Sequence, residues 1–431
     1  MFTPNKYYEQ EILKTYEVKN ILSFDSGRSV GFGLNLTTLF LIATFGSMIS
    51  EVFNKNLNKI KFLKNLRSLK VIIFLFIGFV ICGLGTSLIY SPFPALSAIW
   101  TVQYSFLYIV GIFVLYAFNH HRENFDLIYI ALCMTLFMQF FISIMQFAYQ
   151  SNAGFPIETV VDKQFYYGLD EINSIYRVAG TFLYPNELAL ILNIIVVLLI
   201  PVFEKTKKII YLLGIFSAFI MLILTQSRTN WISFVFIIFF SLKYIFKNLQ
   251  SLLKNTNIKK LIGYSLFATL LLSFLVLPRL ILSLNFSNEG GGWTLRTKMI
   301  EEGFEVFITN PFFGFGAGTN EAVLSSYFPD GIISMFPLPI LLAPLQLLLE
   351  FGVVGALFLL IPFYIVVRKV FIKLSGKELV QVELRNYAFS FLMGITVVTF
   401  HYLLQNHYGV VEFPYLGIIL GSGLIAYQEK N

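Results

Sequence analysis

The sequence predicts an all-α polytopic integral membrane protein with about eleven to twelve transmembrane helices and a large extracytoplasmic loop between late spans. Three observations carry this reading. The 431 residues are 57% hydrophobic and only 13% charged, against roughly 45–50% apolar and about 25% charged in soluble domains. The mean hydropathy is +0.74. The apolar residues also fall in runs of about 20, the length that crosses a hydrocarbon core about 30 Å thick. Disorder is excluded, because disordered chains lack apolar residues. The 48 Phe and 23 Tyr follow no polar/apolar alternation, which excludes an outer-membrane barrel.

Between charged breaks, the apolar runs predict spans over 31–50, 71–90, 98–118, 127–149, 187–203, 209–226, 230–246, 261–281, 345–367, 386–404 and 411–427. Together they make one transmembrane domain over 1–431. The first thirty residues carry Lys6, Glu9, Glu11, Lys14, Glu17, Lys19, Asp25 and Arg28 without an apolar core, so no cleavable signal peptide is expected.

Orientation follows from the lysines and arginines of alternate loops. Segments 51–70, 119–126, 204–208, 243–260, 368–385 and the C-terminal tail hold 21 of the 31 basic residues and 7 of the 24 acidic ones. These loops are expected in the cytoplasm, and the more acidic set on the far side of the inner membrane. The net charge of +7 therefore reads as a topology signal and not as a nucleic-acid surface. Cys82 and Cys133 lie in apolar runs and match no metal spacing; with four histidines and no HExxH pattern, no metal site is expected.

The two long polar segments, 150–186 and 282–344, both fall outside. Function usually resides on such loops. Residues 294–309 predict an amphipathic helix: Leu295, Met299, Phe304 and Phe307 recur near helical spacing, Thr294 is placed to cap its start, and Asn310-Pro311 stops it. Such a helix suits a membrane face or a cavity cover. The piece 332–344, with Pro337, Pro339 and Pro344, is too broken for a span and suits a short re-entrant or docking element. Gly314, Gly316 and Gly318 lack the strand and the Lys-Ser/Thr of a nucleotide loop; they predict a tight turn with exposed amides beside a glycan or phosphate, followed by Asn320.

Arginine at the membrane edge is costly and usually functional. Arg177, Arg228 and Arg296 sit at the outer boundary, with Arg279 as a fourth candidate. A guanidinium offers a permanently charged planar fork that grips phosphate through paired hydrogen bonds. An outward-facing membrane enzyme has no ATP, so the expected activated substrate is a lipid-linked pyrophosphate.

At this point the motifs resemble the O-antigen polymerase and O-antigen ligase family, including Wzy-type polysaccharide polymerases. RVAGTFLYPNELA (177–189) resembles its Arg-x-x-Gly-Thr-Phe segment with the following Pro-Asn, here Pro185-Asn186. TQSRTNW (225–231) resembles its Ser-Arg-Thr element. The run from Arg296 through Asn310-Pro311 to Gly318 resembles its large outer loop, and LQLLLEFGVVGALFLL (345–360) resembles its Leu-x-x-Leu-x-Glu-x-Gly-x-x-Gly span. The resemblance covers 177–360. It departs in one place: the family's ligases carry a histidine before the last of these spans, whereas FPLPILLAPLQ (336–346) has none.

The resemblance implies a GT-C-like fold and a metal-independent, cofactor-free membrane glycosyltransferase. The implied reaction moves a growing glycan from undecaprenyl pyrophosphate onto a lipid-linked repeat unit, for O-antigen (in lipopolysaccharide), capsule or exopolysaccharide. Ligation to lipid A core is the alternative reading, and a lipid or polysaccharide transporter a further one. Implied partners are the undecaprenyl-pyrophosphate-linked oligosaccharide, the lipid bilayer, a chain-length regulator and a flippase of the same pathway. Arg177, Arg228, Arg296 and Arg279 are expected to bind phosphates. Glu350, His401 and His407 are the candidate catalytic residues, with Glu321 and Glu187 as further acidic candidates.

Overall fold

In the computed structural model the described residues are 69–122, 125–154, 166–167, 175–182, 184–252, 292–335, 340–375, 382–405 and 412–428. They form α1 (Lys70–Ile89), α2 (Pro94–His120), α3 (Asp126–Tyr149), a two-residue bridge between β1 (Tyr166–Tyr167) and β2 (Ile175–Tyr176), α4 (Pro185–Thr206), α5 (Ile209–Thr225) and α6 (Arg228–Leu252). The order continues with α7 (Gly292–Thr309), α8 (Asn320–Tyr327), α9 (Ile332–Met335), α10 (Ala343–Ser375), α11 (Val382–Leu404) and α12 (Phe413–Tyr427).

The protein is an all-α, multi-pass membrane protein. Nine of the eleven expected spans coincide with α1–α6 and α10–α12; 31–50 and 261–281 lie outside the described residues. Six of these helices are long and apolar enough to cross a bilayer, and α5, the first part of α6 and α12 are shorter apolar helices.

The chain divides into two compact units. One takes residues 1–122, 289–388 and 402–431, and the other 123–288 and 389–401. In the second unit, α4 is apolar all round and buried on every side, as that pattern requires: Leu188 to Ile200 are each at most 2% exposed. It packs against α5 and α6. The α5–α6 connection is only Gln226 and Ser227. Gln226 makes the reversal by adopting a left-handed conformation, φ 52°, after the last turn of α5.

In the first unit, α12 lies along α2 through small residues. Gly417 and Gly421 face Val110 and Val114, while Gly111 faces Leu420. Absent side chains let membrane helices approach closely. The helical run of α10 breaks at Gly352, φ 62°. A broken helix in an apolar layer frees backbone groups that need new partners. The Asn-Pro-Phe-Phe-Gly segment after α7 supplies them. Phe315 and Gly316 donate their amides to the carbonyls of Leu349 and Glu350, both at 2.8 Å, and Val353 and Val354 donate to Pro311 and Phe312 at 2.8 and 3.1 Å. The two chains meet backbone to backbone because two glycines allow it. A Cβ on Gly314 would sit 2.6 Å from the Gly352 nitrogen, and one on Gly352 would sit on the Phe312 carbonyl.

This junction predicts a contrast between two glycines. Gly352→Ala puts a Cβ on a backbone conformation, φ 62° and ψ −176°, that is essentially glycine's alone, a strain of about 1–3 kcal/mol on top of that backbone collision, and should sharply lower the unfolding temperature in detergent. Gly85→Ala, in α1 with no atom within 4 Å of its Cβ, should leave it unchanged or raise it by the helix propensity of Ala, up to about 1 kcal/mol.

Candidate functional site

In the second unit, the segment carrying Arg177 is short, irregular and held by α3. Gln146 accepts hydrogen bonds from the amides of Ala179 (3.1 Å) and Gly180 (2.9 Å) and donates to the Gly180 carbonyl (2.8 Å). Gln139, two helical turns earlier, accepts from the Thr181 amide at 3.0 Å and donates to the Thr181 hydroxyl. Gln150 accepts from the Tyr176 amide at 3.1 Å. The Gly of Arg-x-x-Gly-Thr is thereby explained. Gly180 has φ 59°, and any side chain there would strike the Gln139 amide oxygen.

The Arg177 guanidinium emerges from this clasp and donates through Nε to the Thr225 carbonyl at 3.0 Å and through Nη2 to Asn186 Oδ1 at 2.8 Å. Pro185 and Asn186 open α4, and Thr225 closes α5. Two of the sequence motifs, 177–189 and 225–231, thus meet at one side chain. Below them Asn230 is a hub. It donates to Ser227 Oγ (2.9 Å) and to the Asn186 carbonyl (3.4 Å), and its own Oδ1 accepts from Asn193 (3.3 Å). His401 belongs to this web: it is 0% exposed, with Nδ1 3.3 Å from Asn230 Oδ1. An amide oxygen only accepts, so Nδ1 carries the proton. Arg228 is the first residue of α6 and is exposed. Glu187 lies in the first turn of α4, where a negative charge suits the helix dipole.

In the first unit, Glu350 is 1% exposed, two residues before the break in α10. Its carboxylate accepts from Asn320 Nδ2 at 2.6 Å, Gln346 Nε2 at 3.2 Å and the Tyr104 hydroxyl at 3.4 Å. Asn320 opens α8 directly after the Gly-x-Gly-x-Gly turn, so the side chain of Glu350 ties that turn to α10 while its backbone carbonyl receives Gly316. The turn does not present its amides as the sequence reading expected. Those of Gly314, Phe315 and Gly316 are bonded to Asn310, Leu349 and Glu350, and Cβ atoms on Gly316 and Gly318 would strike Ser97 and Trp100. Glu321 sits in the first turn of α8.

Helix α7 fits the amphipathic expectation with two differences. It begins at Gly292 rather than at a Thr294 cap. Its buried side is Met299 and Val306, whereas Phe304, expected on that side, is 55% exposed. Arg296 on α7 donates to the Leu404 carbonyl at 2.9 Å, capping the end of α11. His407 and Arg279 lie outside the described residues. No three His, Cys, Asp or Glu side chains cluster as a metal site among the described residues.

The family comparison bears on these motifs. Residues 213–360 match the family model Wzy_C, O-antigen ligase. The match supports the resemblance to the O-antigen polymerase/ligase family and brings glycosyl transfer in general as its chemistry. It spans Arg228, Arg279, Arg296, Gly314, Gly316, Gly318, Asn320 and Glu350, while Arg177, Asn186, His401 and His407 fall outside it. No curated protein matches the chain.

Gln139, Gln146, Asn230 and Tyr104 were not singled out from the sequence. The glutamines carry a legible signal: seven residues apart, they share one face of an otherwise apolar span, where polar groups are expensive unless partnered. Gln146→Ala should strand three backbone groups of Ala179 and Gly180, each costing about 1–3 kcal/mol when buried without a partner. The expected outcome is lost stability in thermal unfolding together with lost glycan product, and Gln139→Ala should lose less, having fewer bonds to give up.

Proposed function

We propose that the protein is a polysaccharide polymerase. It transfers a growing glycan from undecaprenyl pyrophosphate onto a lipid-linked repeat unit at the extracytoplasmic face of the inner membrane. An acceptor hydroxyl oxygen attacks the anomeric carbon of the donor's reducing-end sugar. The bond from that carbon to the pyrophosphate oxygen breaks, its electron pair leaves with the pyrophosphate, and the hydroxyl proton passes to solvent. The leaving group gains charge as the bond breaks, so fixed cations aimed at it lower the barrier. No metal is required where guanidinium groups supply that charge.

The observation that carries the reading is the anchoring of Arg177: the backbone just after it, Ala179 to Thr181, is clasped by Gln139 and Gln146, and its guanidinium is oriented by Thr225 and Asn186. A guanidinium fixed this way loses little freedom when it meets a phosphate. Arg228, exposed at the start of α6, is proposed as a second contact in the same unit, and Arg279 and Arg296 as further phosphate contacts. Glu350 and His401, each at most 1% exposed, are proposed to orient their neighbours rather than to meet substrate.

Ligation to lipid A core is the second reading, favoured by the description of the matching family model. The lack of histidine in 336–346 favours polymerisation. Deleting the gene separates them: single repeats on the surface glycan mark a polymerase, and unattached polymer marks a ligase.

Arg177→Ala should abolish polymer while the protein still accumulates in the membrane. Arg177→Lys should restore only a small part of it, because an ammonium keeps the charge but not the fork. A wild-type ladder of chain lengths from Arg177→Ala would overturn the assignment.

A further inference from the structure

Helix α7 has three sides, and only two are accounted for. At about 100° per residue, Met299, Gly303 and Val306 share a sector about 60° wide. That sector faces the apolar cluster with Val323, Leu324, Ile333, Ile340, Leu345 and Leu349. On the opposite side Lys298, Glu301 and Glu305 are exposed, as charged groups on a wet face should be. Between them lies a sector about 100° wide formed by Phe307, Ile300, Phe304 and Ile308. Phe307 and Ile300 are partly covered by the core cluster, but Phe304 and Ile308 are 55% and 58% exposed. Just past the helix end in the chain come two more apolar side chains open to the surroundings, Phe312, 65% exposed, and Phe313, 39% exposed.

Phe313 stacks on Tyr90, with ring centroids 5.6 Å apart and planes 6° from parallel. Tyr90 follows α1, a helix long and apolar enough to span the membrane. Down α1 runs an exposed apolar stripe of Phe74 (69%), Ile77 (49%), Ile81 (66%) and Leu88 (73%). Such a stripe on a helix long enough to span suits lipid, and the Tyr90–Phe313 stack brings the segment that follows α7 to the end of that helix.

We propose that α7 lies in the surface of the bilayer, with Phe304, Ile308 and Phe312 immersed at the boundary of headgroups and acyl chains and Glu301, Glu305 and Lys298 turned to water. Amphipathic helices seat this way with the apolar side about 5–10 Å deep. Core, lipid and water each take one sector, and the charged sector contains both signs, so the seat is apolar rather than a response to anionic lipid. It also sets the height of Arg296, on the same helix, relative to the headgroups. The seating does not depend on the reaction proposed above.

The test places spin labels at Phe304→Cys, Ile308→Cys, Glu301→Cys and Glu305→Cys, each in a Cys82→Ser/Cys133→Ser background, in the full chain in phosphatidylcholine nanodiscs. Collision with oxygen, which concentrates in lipid, is compared with collision with a water-soluble nickel chelate. The expected result is an oxygen-to-nickel ratio several-fold higher at 304 and 308 than at 301 and 305. Equal nickel access at all four positions overturns the proposal in favour of a flank in water. Protection of 304 and 308 from both reagents overturns it in favour of a protein occupant, a second copy included. In unsubstituted protein, a phosphatidylcholine with a photoreactive group near the top of its acyl chain should label the peptide 300–313, and no label there counts against the seat.

Discussion

Every polar group that these helices carry into an apolar layer must find its partner inside the protein, because the surroundings offer none. That constraint organises both units. In one, the break of α10 at Gly352 is tolerable because the loop after α7 returns four backbone hydrogen bonds to it. In the other, the irregular segment around Arg177 is tolerable because Gln139 and Gln146 act as a substitute backbone. In both cases glycine is the enabling residue, since two backbones, or a backbone and an amide side chain, approach too closely for a Cβ. The motifs are therefore closures of the fold first, and what they leave projecting is what can meet a ligand.

Placing an arginine this way has a chemical consequence. A guanidinium with Nε and Nη2 already committed, to Thr225 and Asn186, cannot rotate freely, so its direction is set before a ligand arrives. The same web reaches Asn230 and His401, so a histidine with no exposed surface is tied through one amide side chain to the residues around Arg177. Glu350 plays a comparable part in its own unit, where a single carboxylate gathers Asn320, Gln346 and Tyr104.

Much of the fold was legible because bilayer thickness imposes one length on every span, and the nine runs that fall on described residues became helices. The amphipathic α7 was legible for the same kind of reason, from period and from the Asn-Pro stop. The side Phe304 takes was not. Period shows that a helix has an apolar side, but in a membrane protein there are two apolar destinations, core and lipid, and hydrophobicity does not distinguish them. The glycine turn was misread for a related reason: glycines announce a backbone approach without saying whether the visitor is a ligand or, as here, another stretch of the chain. Arg177 was legible as an expensive residue in a polar motif, whereas its supports on α3 required the third dimension.

The proposed chemistry depends on Arg177 as a pre-oriented phosphate contact. The direct measurement is equilibrium binding of undecaprenyl pyrophosphate to the purified full-length protein in detergent, wild type against Arg177→Ala and Arg177→Lys, with unfolding temperature recorded on the same samples. Affinity at least about tenfold weaker is expected in Arg177→Ala, corresponding to about 1.4 kcal/mol, with intermediate affinity in Arg177→Lys; Arg177→Ala also gives up the bonds to Thr225 and Asn186, so its unfolding temperature falls, but it stays folded at the temperature of the binding measurement. Equal affinity in all three proteins, all folded, contradicts that role for Arg177.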